Sequence, residues 1–238
     1  IYTVSDVELT QGIPISYRYT AETADVDQRY LLPNANIDTD TLTVTVQTSK
    51  TESASFAYDL ANDITTVNST SRHYFLDEVD EGLYEVQFGD GILGKEVSNG
   101  NIITLAGLVT DTEATNGCKN FSTVADVGGY SNVKIVTVDA AGGGAASADI
   151  QEIKFNAPKS FDAQNRCVTV YDYISLVKRD YPAAQSVVAW GGEDSDPPIY
   201  GKVYVAIKPR QGNVLSTAAK ARIEKAILSK RNVVGVTS

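Results

Sequence analysis

Gly89, four intervening residues and then Gly94-Lys95 are spaced as a phosphate cradle would be, and the apolar run Leu83 to Phe88 leads into them. In such a loop the glycine amides wrap a phosphate and the lysine meets it. A following Ser or Thr then holds magnesium at a helix N-terminus. Here Glu96 follows Lys95, so a carboxylate stands where the anion would bind. Three residues later comes Asn99-Gly100, the pair a type I′ turn favours because both central positions need positive φ. Ile102, Ile103 and Leu105 then read as a returning strand. The spacing predicts a glycine-pinned β-hairpin over 88–105, with Phe88, Gly89, Asp90, Gly91, Gly94, Asn99 and Gly100 as its fixed points.

Other reactive side chains are sparse. His73 is the single histidine, so Ser-His-Asp, Cys-His and multi-histidine metal sites have no base or ligand set to draw on. Its neighbours Tyr74 and Phe75 make it a structural strand residue. Glu193, Asp194 and Asp196 could gather around a hard cation, but the EF-hand spacing is absent. Pro197-Pro198 stiffens their loop, Gly191 to Pro198, for display. Tyr171, Tyr173 and Tyr181 lack the interleaved basic residues of a nucleic-acid stacking platform. Cys118 and Cys167 are too few and too far apart for a disulfide framework and read as thiols. These residues define no catalytic group, no metal and no cofactor, and predict that the chain is not an enzyme.

Composition narrows the partners. Net charge is −10 over 238 residues, with 42% apolar and 21% charged residues. That is an ordered globular composition, and its sign opposes phosphate backbones and anionic membranes alike. No apolar run approaches the roughly 20 residues that span a bilayer. The expectation is no nucleic acid, no membrane and no small-molecule substrate. The chain opens on Ile1, which predicts an interior fragment of a longer protein.

The elements that must position these residues fall into two parts. Thr41 to Val46 alternates with period two, the signature of a half-buried strand. Further short strands are expected at 54–58, 73–76, 83–88, 102–105 and 133–138. Ala140 to Ser147, with Gly142, Gly143 and Gly144 at its centre, reads as a linker or mobile loop. Beyond it the pattern changes. Thr169 caps a helix with Asp172 three residues on, an acidic form of the capping box. Val170, Ile174, Val177 and Tyr181 share a face, and Pro182 ends the helix. Strands at 186–190 and 202–208 follow, then a second helix capped by Ser216 with Ile223 and Ile227 inward, and a closing strand at 233–236. The fold class is α+β. A β-rich part of antiparallel strands and hairpins covers 1–150, and a small α+β subdomain with two helices on a sheet covers 151–238, truncated at its C-terminal end.

Two ordered blocks carry a family resemblance. Phe88-Gly89-Asp90-Gly91 with Gly94 and Asn99-Gly100-Asn101-Ile102 resembles the signature hairpin of the baseplate J-like proteins of contractile phage tails. The second block is similar to the same family: Ala157-Pro158, Arg166 to Thr169, Asp172-Tyr173 and Tyr181-Pro182. It continues through Gly191-Gly192-Glu193, Pro197-Pro198 and Tyr200 to Val203. The blocks cover about 83–209, and the first 80 residues resemble the wedge version of the family.

The resemblance implies a late structural virion protein of the tail baseplate, made and assembled in the host cytoplasm. It implies a homodimer that builds a ring of wedges around the hub, binds other baseplate wedge proteins, and rearranges when the sheath contracts. Gly142, Gly143 and Gly144, and the loop carrying Gly192, Glu193, Asp194, Pro197 and Pro198, are the expected hinges or contacts. The alternative is a β-rich carbohydrate-binding or hydrolytic tail protein using acidic and tyrosine side chains.

Overall fold

The computed structural model describes residues 3–5, 7–22, 28–62 and 64–238. By packing, the chain divides into two compact units, Thr10–Asp111 and Ile1–Leu9 with Thr112–Ser238. They are described separately.

In the first unit seven strands form one sheet. They are β1 (Ile13–Thr20), β2 (Arg29–Leu32), β3 (Ile37–Gln47), β4 (Ser55–Leu60), β5 (His73–Glu78), β6 (Tyr84–Phe88) and β7 (Ile102–Val109), in the order β1-β7-β3-β4-β5-β6-β2. All pairings are antiparallel except β4 with β5, parallel through Asp59↔His73 and Leu60↔Tyr74. Pro14, which cannot donate to a ladder, sits on edge strand β1. A bulge between Asp38 and Thr43 bends β3, and Thr41 holds it by donating to the Asp38 carbonyl and accepting from the Leu108 amide. The two sheet edges approach each other. The Tyr19 hydroxyl of β1 donates to the Leu31 carbonyl of β2 at 2.5 Å, and the Tyr19 and Tyr30 rings lie 5.5 Å apart. The sheet is therefore rolled around one core that includes Leu32, Val44, Val86, Phe88, Ile103 and Leu105.

The expected 88–105 hairpin is corrected here. β6 pairs with β5 and β2, whereas β7 pairs with β1 and β3, so the strands flanking the glycine element are not neighbours. Residues 89–101 are a crossover between distant strands. Asn99-Gly100 is not a type I′ pair either. Gly100 has φ +81° but Asn99 is not among the positive-φ residues, which fits a type II turn closed by the Asn101 amide on the Ser98 carbonyl.

In the second unit the helices are α1 (Ile150–Ala163), α2 (Val170–Asp180) and α3 (Thr217–Arg222), the last continuing as a wider turn over Ile223–Leu228. Strands β8 (Ala184–Gly191) and β9 (Val203–Pro209) form an antiparallel ribbon. One ribbon face, with Val187, Ala189, Val205 and Ile207, joins Tyr173, Leu176, Val177, Ile223 and Ile227 in a second core. The β-rich part followed by helices and a small sheet is the expected α+β class. Four details differ. α1 adds a helix to the expected two. Val133–Val138 forms no strand, because no neighbouring strand supplies ladder bonds. Val233–Val236 is a turn flanked by single bridges, Cys167↔Asn232 and Lys202↔Thr237. α2 also faces inward through Tyr173, Leu176 and Val177, leaving Val170 exposed.

Candidate functional site

The glycine crossover is fixed by backbone shape. A Cβ on Gly89 would stand 2.5 Å from the Gly94 oxygen and closer still to the Leu93 oxygen, so no side chain fits. The Asp90 carboxylate accepts the amides of Ile92 and Leu93 at 2.9 and 2.8 Å, and these two bonds hold its pKa below the usual value. Gly91 and Gly94 have φ +83° and +91°, and the Gly91 amide closes onto the Gly94 carbonyl. The loop is then tied outward, Gly94 to the Asn68 carbonyl and Lys95 to the Ser71 carbonyl. Val97 is buried, and the Gln28 amide brackets its backbone at both N–H and C=O. Asn101 donates to the Thr48 carbonyl at 2.7 Å. No helix begins directly after Lys95, and the Glu96 carboxylate lies 3.3 Å from where a Gly91 Cβ would be. A phosphate cradle has neither dipole nor room there. Ile92 and Leu93 stand exposed at the tip.

In the second unit Thr169 and Asp172 make the expected capping box. The Asp172 amide donates to the Thr169 hydroxyl, and the Asp172 carboxylate accepts the amides of Thr169 at 2.7 Å and Val168 at 3.2 Å. Tyr173 is buried one position on, and Pro182 follows the helix end. Arg166 is exposed and donates to Gln164. Cys167 is buried, with its amide on the Arg231 carbonyl, and burial pushes its thiol up to about 11. Arg231 in turn pairs with Asp180 at 2.6 Å, and Asp180 with Arg179. This network joins α2 to the C-terminal turn and was not visible in the sequence, since its members are 51 residues apart.

The two loops are held differently from one another. Gly144 is bracketed by the Asn116 side chain, and a Cβ on it would run into the Thr112 carbonyl oxygen. Gly143 has φ +98°, and Gly142 has open space around it. In the other loop Gly192 is buried, its amide on the Lys202 carbonyl and its carbonyl accepting from Ile199 and Ser195. Glu193, Asp194, Pro197 and Pro198 are all exposed. Among the described residues no group of His, Cys, Asp and Glu is placed to hold a metal ion. A cavity of about 510 Å³ beside Lys119, Asp139, Arg210 and Leu215 contains one aromatic ring, Tyr181.

The residues thus define anchored scaffold elements and exposed apolar surface. Residues 169–238 match the family model of the baseplate structural protein gp6, C-terminal domain I. The chain is also similar to the baseplate wedge protein gp6 of Enterobacteria phage T4, at 25% identity over 194 residues, covering 71% of this chain and 28% of that protein. The chain is thus similar to a baseplate wedge protein over most of its length. It spans about 28% of the length of the curated relative it matches.

Proposed function

We propose that this chain is a structural part of a phage tail baseplate wedge. It works by holding and repacking protein contacts, without chemistry. On this reading it resides in the virion tail baseplate after assembly in the host cytoplasm, pairs with a second copy, takes its place in a ring of wedges and binds other wedge proteins. The observation that carries the reading is the wedge-protein likeness, which runs over 71% of the chain. The gp6 domain match supports it through the segment containing the Thr169–Asp172 cap and the ribbon. The loops around Gly142 to Gly144 and Gly192 to Pro198 are the proposed hinges or contacts on rearrangement, because interfaces that repack between discrete arrangements need a few yielding segments. The division into a β-rich domain over 1–150 and an α+β subdomain over 151–238 is carried as part of the same proposal.

Sedimentation equilibrium of the chain from micromolar to sub-millimolar concentration tests the pairing. A concentration-dependent dimer is expected, and a strictly monomeric chain would overturn self-association through this part of the protein.

A further inference from the structure

α1 is amphipathic in the unusual sense. Glu152, Asn156, Ser160 and Ala163 are its less exposed positions, and Glu152 and Ser160 accept hydrogen bonds from Arg210 and Arg179. The adjoining stripe is apolar and faces solvent: Ile150 is 65% exposed, Ile153 52% and Phe161 77%, with exposed Ala157 between them. The spacing 150, 153, 157 and 161 is that of a helix seam made to be buried. In the same unit the ribbon has an uncovered face. Its outward residues are Val188, Trp190, Tyr204 and Ala206, and Val188 is 56% exposed. Trp190 stacks on Tyr204 with ring centroids 5.8 Å apart, an aromatic pair on that face.

Building on the self-association proposed above, we infer that the α1 stripe of one copy docks on the β8–β9 ribbon face of a second copy. Dimensions fit. A 14-residue helix is about 21 Å long and about 10 Å wide. Eight residues of ribbon are about 26 Å long, and two strands with their side chains are about as wide as one helix. Area decides between occupants. At roughly 150–250 Å² for a large side chain, scaled by exposure, the helix stripe offers on the order of 350 Å² and the ribbon face on the order of 250 Å². Pairing α1 with α1 would bury about 700 Å² in total, below the roughly 1,200 Å² at which specific interfaces begin, and would leave the ribbon bare. A reciprocal helix-on-ribbon exchange buries about 1,200 Å², where the standard range begins, and covers both faces. Trp190 and Phe161 are the large aromatic side chains available to anchor such a contact.

The test uses the whole chain with Ile153→Glu or Val188→Glu, both at exposed positions, so that melting stays as in the wild type. Each variant alone is expected to weaken self-association at least tenfold. An equimolar mixture keeps one intact helix–ribbon contact and recovers an intermediate affinity. In a Cys118→Ser background, Ala157→Cys on one copy and Ala206→Cys on the other are expected to crosslink with a short bis-maleimide. Variants that associate like the wild type, a mixture no tighter than its components, or crosslinks only between two copies of position 157 each overturn this surface while leaving self-association standing. A monomeric wild type removes both.

Discussion

Between Thr10 and Asp111 the chain buries its large apolar side chains in a rolled sheet whose edges meet through Tyr19, Tyr30 and Leu31. Among the described residues seven large apolar side chains stay exposed in that stretch, against twenty-two between 112 and 238. The charges divide the same way. Residues 10–111 hold sixteen acidic and five basic side chains, net −11, whereas 112–238 hold twelve acidic and fifteen basic, net +3. The first region is closed and strongly acidic, while the second is open, apolar in patches and close to neutral. Self-repulsion keeps a highly charged surface apart, and uncovered apolar faces mark where contacts form. Under the proposed assembly role, the contrast makes the second region the better candidate for contact surfaces.

The largest expected effect tests whether the regions are independent. Leu105 is fully buried in the rolled sheet, and Leu105→Ala removes its packing at a cost of about 3 kcal/mol. The single tryptophan, Trp190, lies in the second region and reports on that region alone. Calorimetry is expected to show the loss while the Trp190 fluorescence transition stays in place. A common shift of both signals would break the comparison.

Gly89→Ala is expected to cost about 2 kcal/mol, because its Cβ would meet carbonyl backbone that cannot move aside. Gly100→Ala is expected to cost about 1 kcal/mol, since nothing lies within 4 Å and only its φ of +81° is strained. Urea midpoints that rank the two in reverse would show that the crossover is held by turn geometry and not by close approach. In the second region, Thr169→Ala removes half of the capping box, for about 1 kcal/mol. Helical circular dichroism is expected to follow that loss.

Strand β3 was legible because Thr41 to Val46 alternates with period two and its burial alternates to match, and β4 to β7 were legible as short strand-like runs between turn residues. The sequence also marked both capped helices, since Thr169–Asp172 and Ser216 act within one turn of their own position. It misjudged the crossover because the glycine and Asn-Gly chemistry is local, whereas the choice between hairpin and crossover depends on which distant strand takes up β7. α1 escaped notice for two reasons: Pro158 interrupts its hydrogen bonding, and its polar side faces the protein. Val133–Val138 has a strand pattern without a partner, so pattern alone overstated it. Counting charges in separate windows would have exposed the contrast between the two regions.

The finest distinction lies at alkaline pH. The Cys167 thiol is buried under α2, and burial raises it from 9.0 to about 11. A folded value above the unfolded one means that folding favours the protonated thiol. This stability is fully present below pH 9 and is lost as pH rises from there toward about 11. In the first region Tyr58, Tyr74 and Tyr84 are raised as well, by burial, but their losses begin only above 10.0. Tyr173 and Tyr181 in the second region start equally late. Between pH 9 and 10 the second region therefore weakens alone. Trp190 fluorescence in urea at stepped pH is expected to fall in midpoint across that interval while the sheet's transition holds. Cys167→Ala is expected to flatten the slope, and a variant that keeps it would assign the alkaline loss to another group.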